Sequence, residues 1–317
     1  MIWPRPLARD PWELRLQRLA LAALVVVRFY AMRRFTEQSD PVGIARWIDF
    51  SFLGQPAAEP WVTALLLLGA AFYAAGRMVP LALAGLVALW VGAGALAYSQ
   101  GGLEHHTQLL GMVMLAQLLA HGTAWWARRR GGRVGDRIGA DDLAVDYTLQ
   151  VIAAAYLLAG LSKIWLSHGE WLAQAPLIAI DVAKKHGQAF CSTLDAGMIG
   201  RGDAIAAAVL AHPGLTRVFL GSALLLELAA PVALLGRLAA FALGAGWLVM
   251  HAAVATLMLI NFHENEGLLL IYLVNVPYLL VRVARAVRAR RGRGAPALTS
   301  RARRRRAAGR RSWRPTR

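Results

Sequence analysis

Apolar residues in this chain run in blocks too long and too continuous for the one-sided stripe of a soluble helix. About eight blocks are visible, near residues 15–32, 61–75, 79–98, 107–126, 147–167, 215–235, 238–260 and 267–283. Most approach the roughly 20 residues that carry a helix across a bilayer core, where a helix satisfies its own backbone polar groups. The pattern predicts an all-α polytopic membrane bundle of about eight transmembrane helices with no large extramembrane domain. The first block follows Arg5, Arg9, Arg15 and Arg18 and is succeeded by Arg28, Arg33 and Arg34 rather than a cleavage site of small residues, so it reads as a retained span.

Polar positions set the expected orientation. The linker 127–142 holds Arg128, Arg129, Arg130, Arg133 and Arg137, whereas the linkers 99–105 and 261–266 contain no Lys or Arg. The positive-inside rule then puts 127–142, Arg77, Arg237 and both termini in the cytoplasm of a cell membrane. Between spans five and six, residues 171–213 form a longer outer segment, read either as an ordinary connector or as a cover holding an interfacial helix.

Composition agrees and relocates the charge. The 317 residues are 57% hydrophobic, and the formal net charge is +17. Fifteen arginines and no acid lie between Arg282 and Arg317, so the body is nearly neutral. Residues 1–285 are expected to form the transmembrane domain and 286–317 a disordered, cytoplasmic Arg-rich tail. Anionic lipid is the favoured partner of that tail, and nucleic acid the less favoured one. Cys191 is the only cysteine, which leaves no intramolecular disulfide and no multi-cysteine metal site.

Ionisable side chains at membrane depth need a partner, a watery cavity or a function. Arg28, Glu227 and His251 fall near the middle of three different blocks and are expected to form a structural charge network. A second group lies toward the outer side: Glu104, His105 and His106, then Lys163, then His263, Glu264 and Glu266. Tyr156, Gly160 and Lys163 are spaced i, i+4, i+7 and share one helix face, with Gly160 admitting a close neighbour. A lysine serves as a base only in its neutral form, which partial burial favours. Snorkelling of Lys163 to the interface is the competing reading. The His263–Glu266 cluster reads as a solvated turn rather than a metal site, and no metal is assigned.

These residues carry a resemblance. The segment QVIAAAYLLAGLSKIWLSHGEW from Gln150, the histidine-led HHTQLLGM from His105, VVVRFYAM from Val25, LLLELAAPVALLG from Leu224 and the stretch from His251 to Pro277 together resemble the horizontally transferred transmembrane (HTTM) family, whose best-understood member is the vitamin K-dependent gamma-carboxylase. The resemblance spans roughly residues 19–283. It implies that Lys163 deprotonates a reduced, vitamin K-like quinone and that His106 supports the charge that develops. It further implies that His105, Tyr156, Gly160, Trp171, His251 and His263 line the quinone pocket, in a lyase-type membrane enzyme. In the family, oxygenation of the quinol yields the strong base that prepares a substrate glutamate for carboxylation. This chain has Ser162 before Lys163 where the carboxylases carry paired lysines, and an arginine tail where they carry a large propeptide-binding domain. The expectation therefore narrows to chemistry on a quinol or another small lipophilic substrate, without peptide carboxylation. Two other classes stay open: a non-catalytic membrane subunit or carrier with an unknown protein partner, and a proton-coupled transporter built on Arg28, Glu227 and His251. No paired Gly/Pro-broken helices are evident to favour the transporter.

Overall fold

The computed structural model describes residues 8–32, 42–99, 106–130 and 139–294, and among these every regular element is helical. The principal helices are α1 (Pro11–Met32), α2 (Glu59–Ala74), α3 (Val79–Ser99), α4 (His106–Arg129), α5 (Ala140–Leu166), α6 (Ile178–Thr193), α7 (Ala196–Ala211), α8 (Pro213–Leu228), α9 (Arg237–Met258), α10 (His263–Leu268) and α11 (Val276–Gly294). Helices α1 to α5 pack as successive neighbours, and α9 closes the bundle against the segments that follow α8 and α10. Leu83, Leu110, Met114, Ile152 and Trp247 are fully enclosed in one core.

Four helices, α3, α4, α5 and α9, are long and apolar enough to cross a membrane, and two bent pairs raise the number to six. The pairs are α7 with α8, bent by 96°, and α10 with its π-helical continuation Leu269–Leu273 joined to α11, bent by 41°. Helix α2 is apolar but only 16 residues long. Helix α1 carries Glu13, Arg15, Arg18 and Arg28 within its 22 residues, which removes it from the apolar set. Large apolar side chains face outward around the bundle, among them Leu65, Leu68, Leu81, Leu119, Leu158, Leu238 and Val249. The described helices thus carry an extensive apolar outer surface.

Three expectations change. The breaks at His212, directly before Pro213 and Gly214, and at Val274–Asn275, directly before Val276 and Pro277, make discontinuous helices where continuous spans were expected. The second break is held by Asn275, at φ +53°, whose side-chain oxygen accepts from the Tyr278 backbone N–H at 3.1 Å. The segment 171–213 holds two helices where at most one was expected: α6 and α7 form a packed pair, with Gly202 against His186. Finally, α11 continues through Gly294, so 286–294 is helical where disorder was expected; arginine is a good helix former, and cations suit a helix C-terminus. The rest of the tail lies outside the described residues.

Polar side chains gather in two layers. One joins the starts of α1, α5, α9 and α11. There Arg9 bonds Asp146 at 2.6 Å and the Asp142 backbone oxygen at 3.0 Å, while Arg18 meets Asp141 at 3.2 Å. In the same layer Arg237 forks onto Glu13, with both its amino groups at 3.1 Å, and Asn275 donates to Glu13 at 2.7 Å. The other layer surrounds Lys163 at the far end of α5. At about 1.5 Å of rise per residue, Asp142 and Lys163 stand about 30 Å apart along that helix, the thickness of a bilayer's hydrocarbon core.

Candidate functional site around Lys163

Local structure places Lys163 in the last turn of α5. Its carbonyl accepts from the Ser167 hydroxyl at 2.6 Å, and the Gly169 N–H, with φ at +85°, closes onto Ile164 at 2.8 Å. The helix therefore stops three residues beyond the lysine, leaving its side chain 31% exposed at the end of the bundle. Tyr156 and Gly160, on the same face, are buried. A Cβ on Gly160 would lie 3.1 Å from both the Glu227 Cβ and a Leu228 methyl. That missing side chain is what lets α8 approach α5 and present Glu227.

Lys163 donates to both carboxylate oxygens of Glu227, whose side chain is 7% exposed. Its ammonium also sits 5.9 Å from the centre of the Trp171 ring. Beneath this pair, the Tyr156 hydroxyl and His251 Nε2 share a 2.6 Å hydrogen bond, and the Tyr156 ring stacks on Trp247 at 4.0 Å. Phe262 covers the other side of His251, with ring centres 4.6 Å apart. Lys163 lies within electrostatic reach of His251, as Glu227 and Glu266 do of Tyr156. Residues from α5, α8, α9 and the approach to α10 thus converge on one site.

Two buried nitrogens there, His251 Nδ1 and Trp247 Nε1, have no hydrogen-bond partner among the described residues. They are one helical turn apart on α9. Buried donors and acceptors are normally satisfied, so an orphan pair beside a charged dyad and three aromatic rings is suited to a planar ligand with polar atoms.

The expected charge network is corrected. Arg28 does not meet Glu227; it bonds Glu264 at 2.7 Å, and Glu264 is 1% exposed. Glu227 belongs to Lys163, and His251 to Tyr156. The reason is depth: Glu227 lies next to the last residue of α8, level with the end of α5, and not at the middle of a continuous span. The 263–266 turn is likewise only partly solvated. His263 is exposed and 3.4 Å from Glu266, but Glu264 turns inward.

Of the residues anticipated from sequence, Lys163, Tyr156, Gly160, Trp171 and His251 come together. His263 stands at the rim on the same side. His105 lies outside the described residues, as does the side chain of His106, whose backbone begins α4. Trp247 and Phe262 are additions; the spacing of Trp247 four residues before His251 was the available signal. A comparison with family models, curated proteins and solved structures finds no match to this chain.

Proposed function

We propose that the chain is an integral membrane protein whose Lys163 site acts on a reduced quinone or a similar lipophilic hydroxyl compound, as the HTTM resemblance implies. The apolar outer surface and the spacing of the two polar layers support embedding in a bilayer, with the Arg-rich layer and both termini cytoplasmic and Lys163 at the outer face. A bound reduced quinone supplies an acidic ring hydroxyl. Lys163, once its ammonium has passed a proton to the Glu227 carboxylate, is the neutral amine that takes up the ring proton, while Trp247, Tyr156 and Phe262 provide aromatic walls and His251 Nδ1 supplies a polar contact. The observation that carries this reading is the lysine–carboxylate dyad beside two buried nitrogens that lack protein partners. Positioning and control of protonation are the protein's share of such chemistry.

Lys163→Arg tests it best, because arginine keeps the positive charge and the pairing with Glu227 but cannot become a neutral base. Purified wild-type protein in lipid is expected to consume a reduced naphthoquinone in an oxygen-dependent reaction, and Lys163→Arg is expected to lose at least about tenfold of that rate, a conservative figure for an acid–base group. Equal consumption by the variant would end the assignment.

A second reading is favoured by the dyad itself. An ion pair clamping α5 to α8 also suits a non-catalytic membrane subunit, in which Lys163 is structural. Stoichiometric co-purification with a protein partner, together with absence of quinol consumption by the wild-type protein, is the outcome that would select it.

A further inference from the structure

The layer opposite Lys163 contains a cavity of about 620 Å³. On α5 its lining runs from Leu143 to Gln150, about 20 Å along the helix from Lys163, so it is a separate site. Leu149, Leu234, Phe241 and Leu273 line its apolar wall. At the rim, Leu238 is 82% exposed and Leu279 40%, which makes the entrance apolar and directed toward whatever surrounds the bundle.

Three arginines line this space; Arg9 is committed to Asp146 and to the Asp142 carbonyl, which leaves two guanidinium groups over the slot. Arg237 is partly committed, forking onto Glu13 and lying 4.2 Å from the Tyr278 ring centre, yet its side chain remains 35% exposed. Arg282 has no carboxylate partner among the described residues; its one contact of that kind is a 3.4 Å bond to the Tyr278 hydroxyl. A hydrocarbon slot with a lateral, apolar entrance and a cationic rim matches one amphiphile: a chain for the slot and an anionic head for the arginines. Basic pockets between helices on the cytoplasmic side of a membrane are a recurrent way to hold anionic lipid headgroups.

We propose that this cavity is a binding site for an anionic phospholipid, with one acyl chain along the Leu149–Leu234–Phe241 wall and the phosphate against Arg282 and the free edge of Arg237. The site is distinct from any attraction of lipid to the tail arginines, because it needs the slot as well as the charge. It does not depend on the assignment made for Lys163.

Native mass spectrometry of the full chain, released from detergent after incubation with phosphatidylglycerol or phosphatidylcholine, tests this. Wild-type protein is expected to retain one phosphatidylglycerol in preference to phosphatidylcholine. Arg282→Gln, at an exposed position where folding is not at stake, is expected to lower that preference about fivefold, the effect of removing one basic contact. Leu149→Trp, which puts an indole where the acyl chain would lie along the wall, is expected to abolish retention of either lipid. Equal retention of the two lipids by the wild-type protein, an undiminished preference in Arg282→Gln, or a lipid still held by folded Leu149→Trp would each overturn the proposal.

Discussion

Lys163→Met is expected to destabilise the protein by about 2–3 kcal/mol, more than Glu227→Leu does, although both remove the same ion pair. The asymmetry follows from burial. Without the lysine, the Glu227 carboxylate is left at 7% exposure with no counter-charge, and stranding one member of a buried pair costs more than the pair contributes. The figure stays at or below the lower end of the usual range because Lys163 is 31% exposed and water reaches the rim of the site. Without the carboxylate, by contrast, the lysine can swing its ammonium to the bundle end, and the loss is about 1 kcal/mol. The double variant Lys163→Met/Glu227→Leu is expected to recover most of the deficit, since two apolar side chains replace two charges. Thermal unfolding of the four proteins in one detergent checks the order. Identical midpoints for the two single variants would remove the burial argument.

The second large effect belongs to the opposite layer. Glu13 is fully buried, and its carboxylate accepts from Arg237 and from Asn275, the residue that holds the break between the π-helical segment and α11. Arg237→Met takes away the charge that neutralises Glu13 and leaves Asn275 alone against a buried carboxylate, so a loss of about 3 kcal/mol is expected, the lower end of the usual range because Arg237 is 35% exposed. Glu13→Gln should cost only about 1–2 kcal/mol, because Arg237 at 35% exposure can turn toward water and the new amide still offers Asn275 an acceptor. Unfolding midpoints of the two variants read this directly. A larger loss for Glu13→Gln than for Arg237→Met would mean that the buried member of the pair has been misjudged.

Helical class and most apolar segments were legible because continuous hydrophobic runs of these lengths exceed the usual length of a strand and read as helices. The breaks were not. At Val274–Asn275 the local sequence IYLVNVPY offers only Asn275 and Pro277 as break signals inside an apolar run, and the bend is held by tertiary bonds from Asn275 to Glu13 and Gln17, more than 250 positions away. The Tyr156–Gly160–Lys163 stripe was readable from helical periodicity, and so was the need for a close neighbour at Gly160. Which acid would fill that role was not readable. Counting rise along an assumed uninterrupted span put Glu227 at mid-depth and paired it with Arg28, whereas α8 begins at Pro213 after a sharp bend and ends just beyond the acid. A depth estimate inherits every error in helix continuity, and an ion pair between distant helices inherits it twice. Glu264, taken for part of a solvated turn, is the true partner of Arg28 because α10 folds inward against α1 and α4.

Proton transfer to the Lys163–Glu227 dyad is the step on which the functional account depends, and a prenylated naphthol, a redox-inert mimic whose neutral and anionic forms absorb differently, reports it without turnover. The absorption spectrum of this probe bound to the wild-type protein near neutral pH should be that of the anion, and in Lys163→Arg that of the neutral naphthol. A neutral spectrum on the wild-type protein, or an anionic one that persists in Lys163→Arg, would contradict the account.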